Sequence, residues 1–230
     1  MIEENLKNVK ARIISAAQKS GRDPSKIKLV AVSKTVDVLK IKAAVLAGVT
    51  ILGENRVQEA ELKIPAVNEP VSWHLIGHLQ RNKSKKALGL FQYIHSVDSL
   101  RLAVEINKHA GMMNIVMPVL LQTNISGEKS KFGVSLKEVI DFFDAVEPLQ
   151  NLKVEGLMTI PPYFEDPQKA RPIYKQLNNI CNEIKSRAKQ PENINELSMG
   201  MSNDFEVAIE EGATFVRVGT AIFGERLQFK

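Results

Sequence analysis

Lys28-Leu29-Val30-Ala31-Val32-Ser33-Lys34-Thr35 and Phe215-Val216-Arg217-Val218-Gly219-Thr220 are the two stretches whose reading decides the fold. Each is a short, β-branched apolar run that ends on polar residues, the pattern of a strand buried on both faces. One lies near each end of the chain. Between them, apolar runs at roughly 50–54, 71–77, 93–97, 117–124, 154–160 and 196–200 alternate with amphipathic segments. The amphipathic segments fall at 36–47, 55–63, 82–90, 98–110, 135–146, 167–188 and 202–211. A leading helix over 2–20 puts Leu6, Val9, Ile13, Ile14 and Ala17 at helical spacing.

Local signals punctuate the helices. Asp98-Ser99 follows a strand, Ser135 opens a capping box with Glu138, and Ser202 reads as a cap with Asp204 in the first turn. Gly48, Gly111 and Gly212 stand where helices should stop. Eight strands, each followed by a helix and none in a hairpin pattern, predict an α/β chain built as a single (β/α)8 TIM-type barrel with an extra N-terminal helix. An open doubly wound sheet is the alternative; the count of eight and the length favour closure. No linker rich in Gly, Ser or Pro divides residues 1–230, and one domain is expected.

Composition sets the remaining bounds. A chain of 230 residues with 44% hydrophobic and 25% charged residues can bury one substantial core. A net charge of +5 suits anionic ligands but is too diffuse to indicate nucleic-acid binding. The single cysteine, Cys181, forms no internal disulfide, and the first residues lack the apolar core of a secretion signal. No apolar stretch approaches the ~20 residues that span a bilayer. A cytoplasmic protein without membrane contact is expected.

The candidate site follows from the barrel. Chemistry in such folds sits at the C-terminal strand ends, and phosphate often binds at the loops after strands seven and eight. Lys34 ends strand one, which a closed barrel places beside strand eight. Leu197-Ser198-Met199-Gly200-Met201-Ser202-Asn203-Asp204 ends strand seven and opens a helix, and Gly219-Thr220 ends strand eight. Backbone N–H groups at a helix start, with Ser202 and a close-approach glycine, form a phosphate cradle. An amine beside that cradle suits an imine with a phosphorylated aldehyde.

Six segments then carry a resemblance. Ala31-Val32-Ser33-Lys34-Thr35, Gly53-Glu54-Asn55-Arg56, Trp73 through Lys83, Gly156-Leu157-Met158, Leu197 through Ser202 and Arg217-Val218-Gly219-Thr220 resemble, in order, the pyridoxal phosphate homeostasis proteins. That family looks like the barrel domain of alanine racemase standing alone. The resemblance implies pyridoxal 5′-phosphate held as an aldimine on Lys34, with its phosphate on Ser202, Gly219 and Thr220. It implies that Arg217 faces the pyridine nitrogen and that Asn55 lines the pocket. Met199 completes the expected contact set, although a methionine there also reads as packing. His74 either lies beside the ring or is bonded within the core. His78 departs from the pattern, where relatives more often carry proline after Ile-Gly.

The resemblance implies a non-enzymatic carrier that buffers or delivers the cofactor, without efficient amino-acid turnover. Apo-forms of enzymes that use the same cofactor are the expected acceptors, and a monomer is expected over a dimer. A guanidinium has no acceptor and cannot keep the pyridine nitrogen protonated as an aspartate would, so the electron sink is weak. The alternative for Arg217 is an ion pair with Glu206, Glu210 or Glu225. The alternative functions are a racemase or lyase on the same cofactor, and a lysine aldolase without it. A two-base racemase needs an opposing acid, and only Tyr93, Tyr163 and Tyr174 are present; no second domain is expected after the barrel. His78, His95, His109 and Cys181 have no metal-ligand spacing, so no metal site is expected. The run from Arg81 to Lys86 reads as a solvated helix face, with phosphate or RNA the lesser reading. Ser126–Gly133 and Pro161–Pro167 read as rim loops that either gate the site or serve as plain turns.

Overall fold

Short β-branched runs flanked by amphipathic helices have few ways to bury both faces, and in the computed structural model, which describes residues 1–128 and 131–225, they close into a ring. The strands are β1 (Lys28–Val32), β2 (Ile51–Glu54), β3 (Ser72–Leu75), β4 (Tyr93–Val97), β5 (Met117–Asn124), β6 (Val134–Ser135), β7 (Leu152–Thr159), β8 (Glu196–Ser198) and β9 (Phe215–Val218). The helices are α1 (Ile2–Lys19), α2 (Val38–Leu46), α3 (Val57–Val67), α4 (Ser84–Leu88), α5 (Leu100–Met112), α6 (Val139–Val146), α7 (Arg171–Arg187), α8 (Phe205–Glu210) and α9 (Thr220–Phe223). Parallel pairing runs β4-β3-β2-β1-β9-β8-β7-β5, and a β4–β5 pairing closes the barrel. The two-residue β6 is an addition on β5, with Thr123 opposite Val134.

Alternation along the strands divides the core in two. Val30, Val32, Ile76, Tyr93, Leu120, Met158 and Phe215 fill the lumen. Ala31, Leu52, Leu75, Ile94, Leu121, Val216 and Val218 face outward into the layer shared with the helices. One register shift breaks the pattern. Between β5 and β7, Val119 pairs with Val154 and Leu120 with Gly156, leaving Glu155 as an extra residue. Gly156 has φ of 151°, and a Cβ there would lie 1.8 Å from the Glu196 carbonyl oxygen. The bulge is therefore available only to glycine. Glu155 accepts a 2.8 Å hydrogen bond from the Tyr93 hydroxyl.

The leading helix buries Leu6, Val9, Ile13, Ala16 and Ala17, and Arg12 forks onto Glu206 of α8 at 3.0 and 2.7 Å. Ile14 is exposed, outside the apolar stripe that Leu6, Val9, Ile13 and Ala17 turn inward. Two further expectations are corrected. Gly111 lies inside α5, and the left-handed residue that follows this helix is Asn114, with φ of 53°. Strand one stops at Val32, so Lys34 stands in the turn beyond it. Lys129 and Ser130 of the expected rim loop, and residues 226–230, lie outside the described residues.

Candidate functional site

β1 pairs with β9, Ala31 opposite Val218, so the turn carrying Lys34 and the Gly219-Thr220 step leave the barrel side by side at its C-terminal rim. Lys34 is half-buried. Its neighbour Thr35 adopts φ of 59°, a conformation that costs a β-branched residue free energy and persists only when its surroundings enforce it. The enforcement comes from below. The Thr35 N–H donates to Glu59 Oε1 at 2.5 Å. Lys63 Nζ donates to Glu59 Oε1 at 2.6 Å, Glu54 Oε1 at 2.9 Å and the Ser33 carbonyl at 2.6 Å. The Ser33 hydroxyl adds a 2.7 Å bond to Glu54 Oε1.

Lys63 thus clamps the strand end and both carboxylates beneath the Lys34 turn. Burial raises the Glu54 carboxyl above its ordinary range, opposed by the bonds from Ser33 and Lys63 and by the Lys63 charge. Its Oε2 is buried without a hydrogen-bond partner among the described residues. Sequence reasoning missed this clamp, because Glu59 and Lys63 at i,i+4 look like an exposed helical pair.

The neighbouring loop follows β8. Gly200 has φ of 89°, and an added Cβ would come within 2.6 Å of the Ala208 methyl and 2.9 Å of the Phe205 Cα. The Met201 N–H donates to Asp204 Oδ1 at 2.6 Å, and α8 starts at Phe205. Ser202 is therefore not the helix cap expected of it; the helix begins too late for its hydroxyl to serve the first turn. That hydroxyl instead accepts the Gly219 N–H at 3.2 Å and ties the two loops together, with exposed Thr220 next in the chain. Asn55 is half-buried just past β2, and the Gly77 backbone packs against it so closely that a Cβ would sit 2.4 Å from the Asn55 carbonyl oxygen.

Arg217 lies on the lumen floor beneath this rim and is only 4% exposed. Its Nη1 donates to Ser198 Oγ at 2.6 Å and its Nη2 to the Thr159 carbonyl at 2.8 Å. The ion pairs considered for it do not form: Glu206 pairs with Arg12 and Glu210 with Arg171. No carboxylate is recorded in an ion pair with Arg217 among the described residues. Burial lowers its pKa to about 10, against the opposing pull of Tyr174 and Asp204, and it remains a cation at neutral pH.

His74 is bonded within the lumen. Its Nδ1 lies 2.9 Å from His95 Nε2, and its Nε2 lies 3.1 Å from Ser72 Oγ. Both ring nitrogens are thus engaged by protein. His95 Nδ1 reaches Ser198 Oγ at 2.8 Å, so a buried chain joins Ser72 to Arg217. Burial, with the charge of Lys28, lowers the His74 pKa to about 3, and burial pushes His95 the same way. Met199 is wholly buried in the outer core among helix residues, and the structure does not bring it to the rim. Tyr93 is engaged with Glu155, Tyr174 is fully buried, and Tyr163 is exposed on the loop after β7. His78 bonds Asp98 at 2.8 Å and stacks on Phe132 with ring centroids 3.8 Å apart, which joins the loops after β3, β4 and β5.

A cleft of about 520 Å³ lies at the opposite end, where β5 and β7 begin, lined by Val116, Leu152, Lys153 and Ile194. Its lining combines no loop glycines with a buried cation, and the C-terminal rim is the candidate site. Among the described residues no group of three or more His, Cys, Asp or Glu is placed to hold a metal ion. No described helix is long and apolar enough to cross a membrane.

The fold and sequence have known counterparts. Residues 4–227 match the family described as alanine racemase, N-terminal domain. A pyridoxal phosphate homeostasis protein of Aquifex aeolicus is 45% identical over 224 residues, covering 97% of each chain. The Escherichia coli K12 protein of that name is 40% identical over 229 residues, covering 98% of this chain and 97% of its own. PipY of Synechococcus elongatus, solved with PLP bound, superposes with a TM-score of 0.87 at 33% identity, over 97% of this chain and all of that one. An alanine racemase of Clostridium difficile shares the fold, with a TM-score of 0.69 at 18% identity over 97% of this chain and 56% of its own.

Proposed function

The chain belongs to the pyridoxal phosphate homeostasis proteins, a family built on the alanine racemase N-terminal domain, and from that membership we propose that it binds, buffers and delivers pyridoxal 5′-phosphate. The observation that carries the reading is the juxtaposition of the Lys34 turn with the Ser202–Gly219 contact across the β1–β9 pairing. When bound, the cofactor supplies an aldehyde for amine exchange and a pyridine ring whose nitrogen accepts hydrogen bonds. Lys34 holds the aldehyde covalently. Ser202, Gly219 and Thr220 hold the phosphate, Arg217 donates to the ring nitrogen, and Asn55 lines the pocket.

The residues fit the group on physical grounds. A buried cation without a carboxylate in an ion pair favours an acceptor placed before it. Gly200, at φ of 89° and with Ala208 and Phe205 filling the place of a Cβ, lets the loop that carries Ser202 pack directly on α8. Arg217 donates but cannot share a proton with the ring nitrogen, so carbanion stabilisation is poor and efficient amino-acid turnover is not expected. Residues 1–230 act as one cofactor-binding domain, working as a monomer in the cytoplasm, with apo-enzymes as acceptors.

The test incubates loaded protein with each common amino acid in deuterated water and follows the α-proton and chirality. A parallel assay mixes loaded protein with an apo-enzyme that needs the cofactor. Reactivation without α-proton exchange supports the carrier. Rapid exchange or racemisation, lost in Lys34→Ala, restores the racemase or lyase reading.

A further inference from the structure

We infer that Ser198, His95, His74 and Ser72 form a one-way hydrogen-bonded chain that holds Arg217 in position for the ring nitrogen of the cofactor. The chain itself is a property of the protein alone; its role toward the ligand rests on the proposed function.

Direction follows from the end that has no choice. Arg217 carries only donors, so Ser198 Oγ must accept its Nη1–H at 2.6 Å. Ser198 is fully buried, and its other recorded partner is His95 Nδ1 at 2.8 Å. If Nδ1 carried the proton, the Ser198 hydroxyl hydrogen would be left in the core without an acceptor, which is costly for a buried donor. The hydroxyl therefore donates to Nδ1, and the single proton of His95 sits on Nε2. That proton is donated to His74 Nδ1 at 2.9 Å, which fixes the His74 proton on Nε2, facing Ser72 Oγ at 3.1 Å.

Every dipole then points its negative end at the guanidinium. In a water-poor lumen such alignment is cooperative, and it stabilises a cation that no carboxylate among the described residues pairs with. A second proton on either imidazole would turn a donor against a donor and break the run. Packing keeps the rings in place: His74 stacks on Tyr93 at 5.0 Å, and Phe215 meets both histidines edge-on at 5.7 and 5.0 Å. Lys28 is the other cation nearby, over the Phe215 ring at 4.6 Å. His74 and His95 are thus positioning residues, acting on the ligand through Ser198 and Arg217.

The test has a ligand-free arm and a ligand arm. Long-range ¹⁵N–¹H correlation on histidine-labelled protein at neutral pH is expected to show both His74 and His95 as neutral Nε2–H tautomers. Ser198→Ala should release His95 to a mixture of tautomers, and Ser198→Thr, which keeps the hydroxyl, should restore the single form. An Nδ1–H tautomer or an imidazolium at either position in the unaltered protein overturns the chain. In the ligand arm, His95→Phe and Ser198→Ala are titrated with pyridoxal 5′-phosphate and with its deaza analogue, which lacks the ring nitrogen. The expected result is a loss of about ten- to a hundredfold for the cofactor, the worth of one charge-assisted hydrogen bond, with no change for the analogue. Equal loss for both ligands makes the chain structural only and overturns the positioning role. If neither ligand binds the unaltered protein, the proposed function fails while the tautomer result still stands.

Discussion

Acidification from pH 7 to pH 5 should destabilise the protein through its two lumen histidines. His74 has its pKa lowered to about 3 by burial and the Lys28 charge, and burial carries His95 in the same direction. Unfolded, both take a proton near their ordinary value of about 6.5. The unfolded state then binds more protons between those limits, so stability is fully present above about 6.5 and is lost as pH falls toward the folded value. For His74 the loss over this interval is about 2 kcal/mol, approaching 1.4 kcal/mol per pH unit once the unfolded group is charged. His95 adds a contribution of the same sign. Glu54 acts oppositely, because a carboxyl raised by burial favours the fold at low pH. The assay is urea denaturation at both pH values for the unaltered protein and His74→Phe. The variant should lose about 2 kcal/mol of the pH dependence, whatever its absolute stability. An identical pH dependence in the two proteins would refute a neutral, buried His74.

Three further outcomes follow from particular contacts. Lys63→Met removes the cation from between Glu54 and Glu59 and should cost about 3–5 kcal/mol in urea denaturation, a loss that shrinks on acidification as Glu54 takes a proton. Gly156→Ala drives a Cβ into the Glu196 carbonyl at 1.8 Å and should cost several kcal/mol, well above the ~1 kcal/mol typical of point substitutions, read as a fall in the denaturation midpoint. Lys34→Ala should leave the far-UV circular dichroism unchanged and stability within about 0.5 kcal/mol, while abolishing the visible absorption of added pyridoxal 5′-phosphate.

The architecture was legible because each barrel strand is an apolar run bounded by turn residues, and the ring needs nothing else to close. β6, two residues long, and α9, four residues long, carry too little pattern to read. Gly111 misled because the left-handed turn is carried by Asn114, and Ser202 misled because a hydroxyl before a helix signals a cap whether or not the helix starts there. Lys34 and Gly219 could be placed from strand ends alone, whereas Arg217 was drawn to the site only by the family resemblance. The chain beneath them could not: His95 and Ser198 stand 103 residues apart and meet only across the lumen. Lys63 was hidden by the opposite fault, a local pairing so ordinary that its burial against Ser33 and Glu54 left no trace in the sequence.

The most direct measurement loads the purified protein with pyridoxal 5′-phosphate, reduces it with borohydride and maps the modified peptide. One adduct on Lys34, with the peptide otherwise unmodified, is the result this structure predicts. An adduct on Lys63, on Lys28 or on any other lysine in place of Lys34, or none at all, would contradict it.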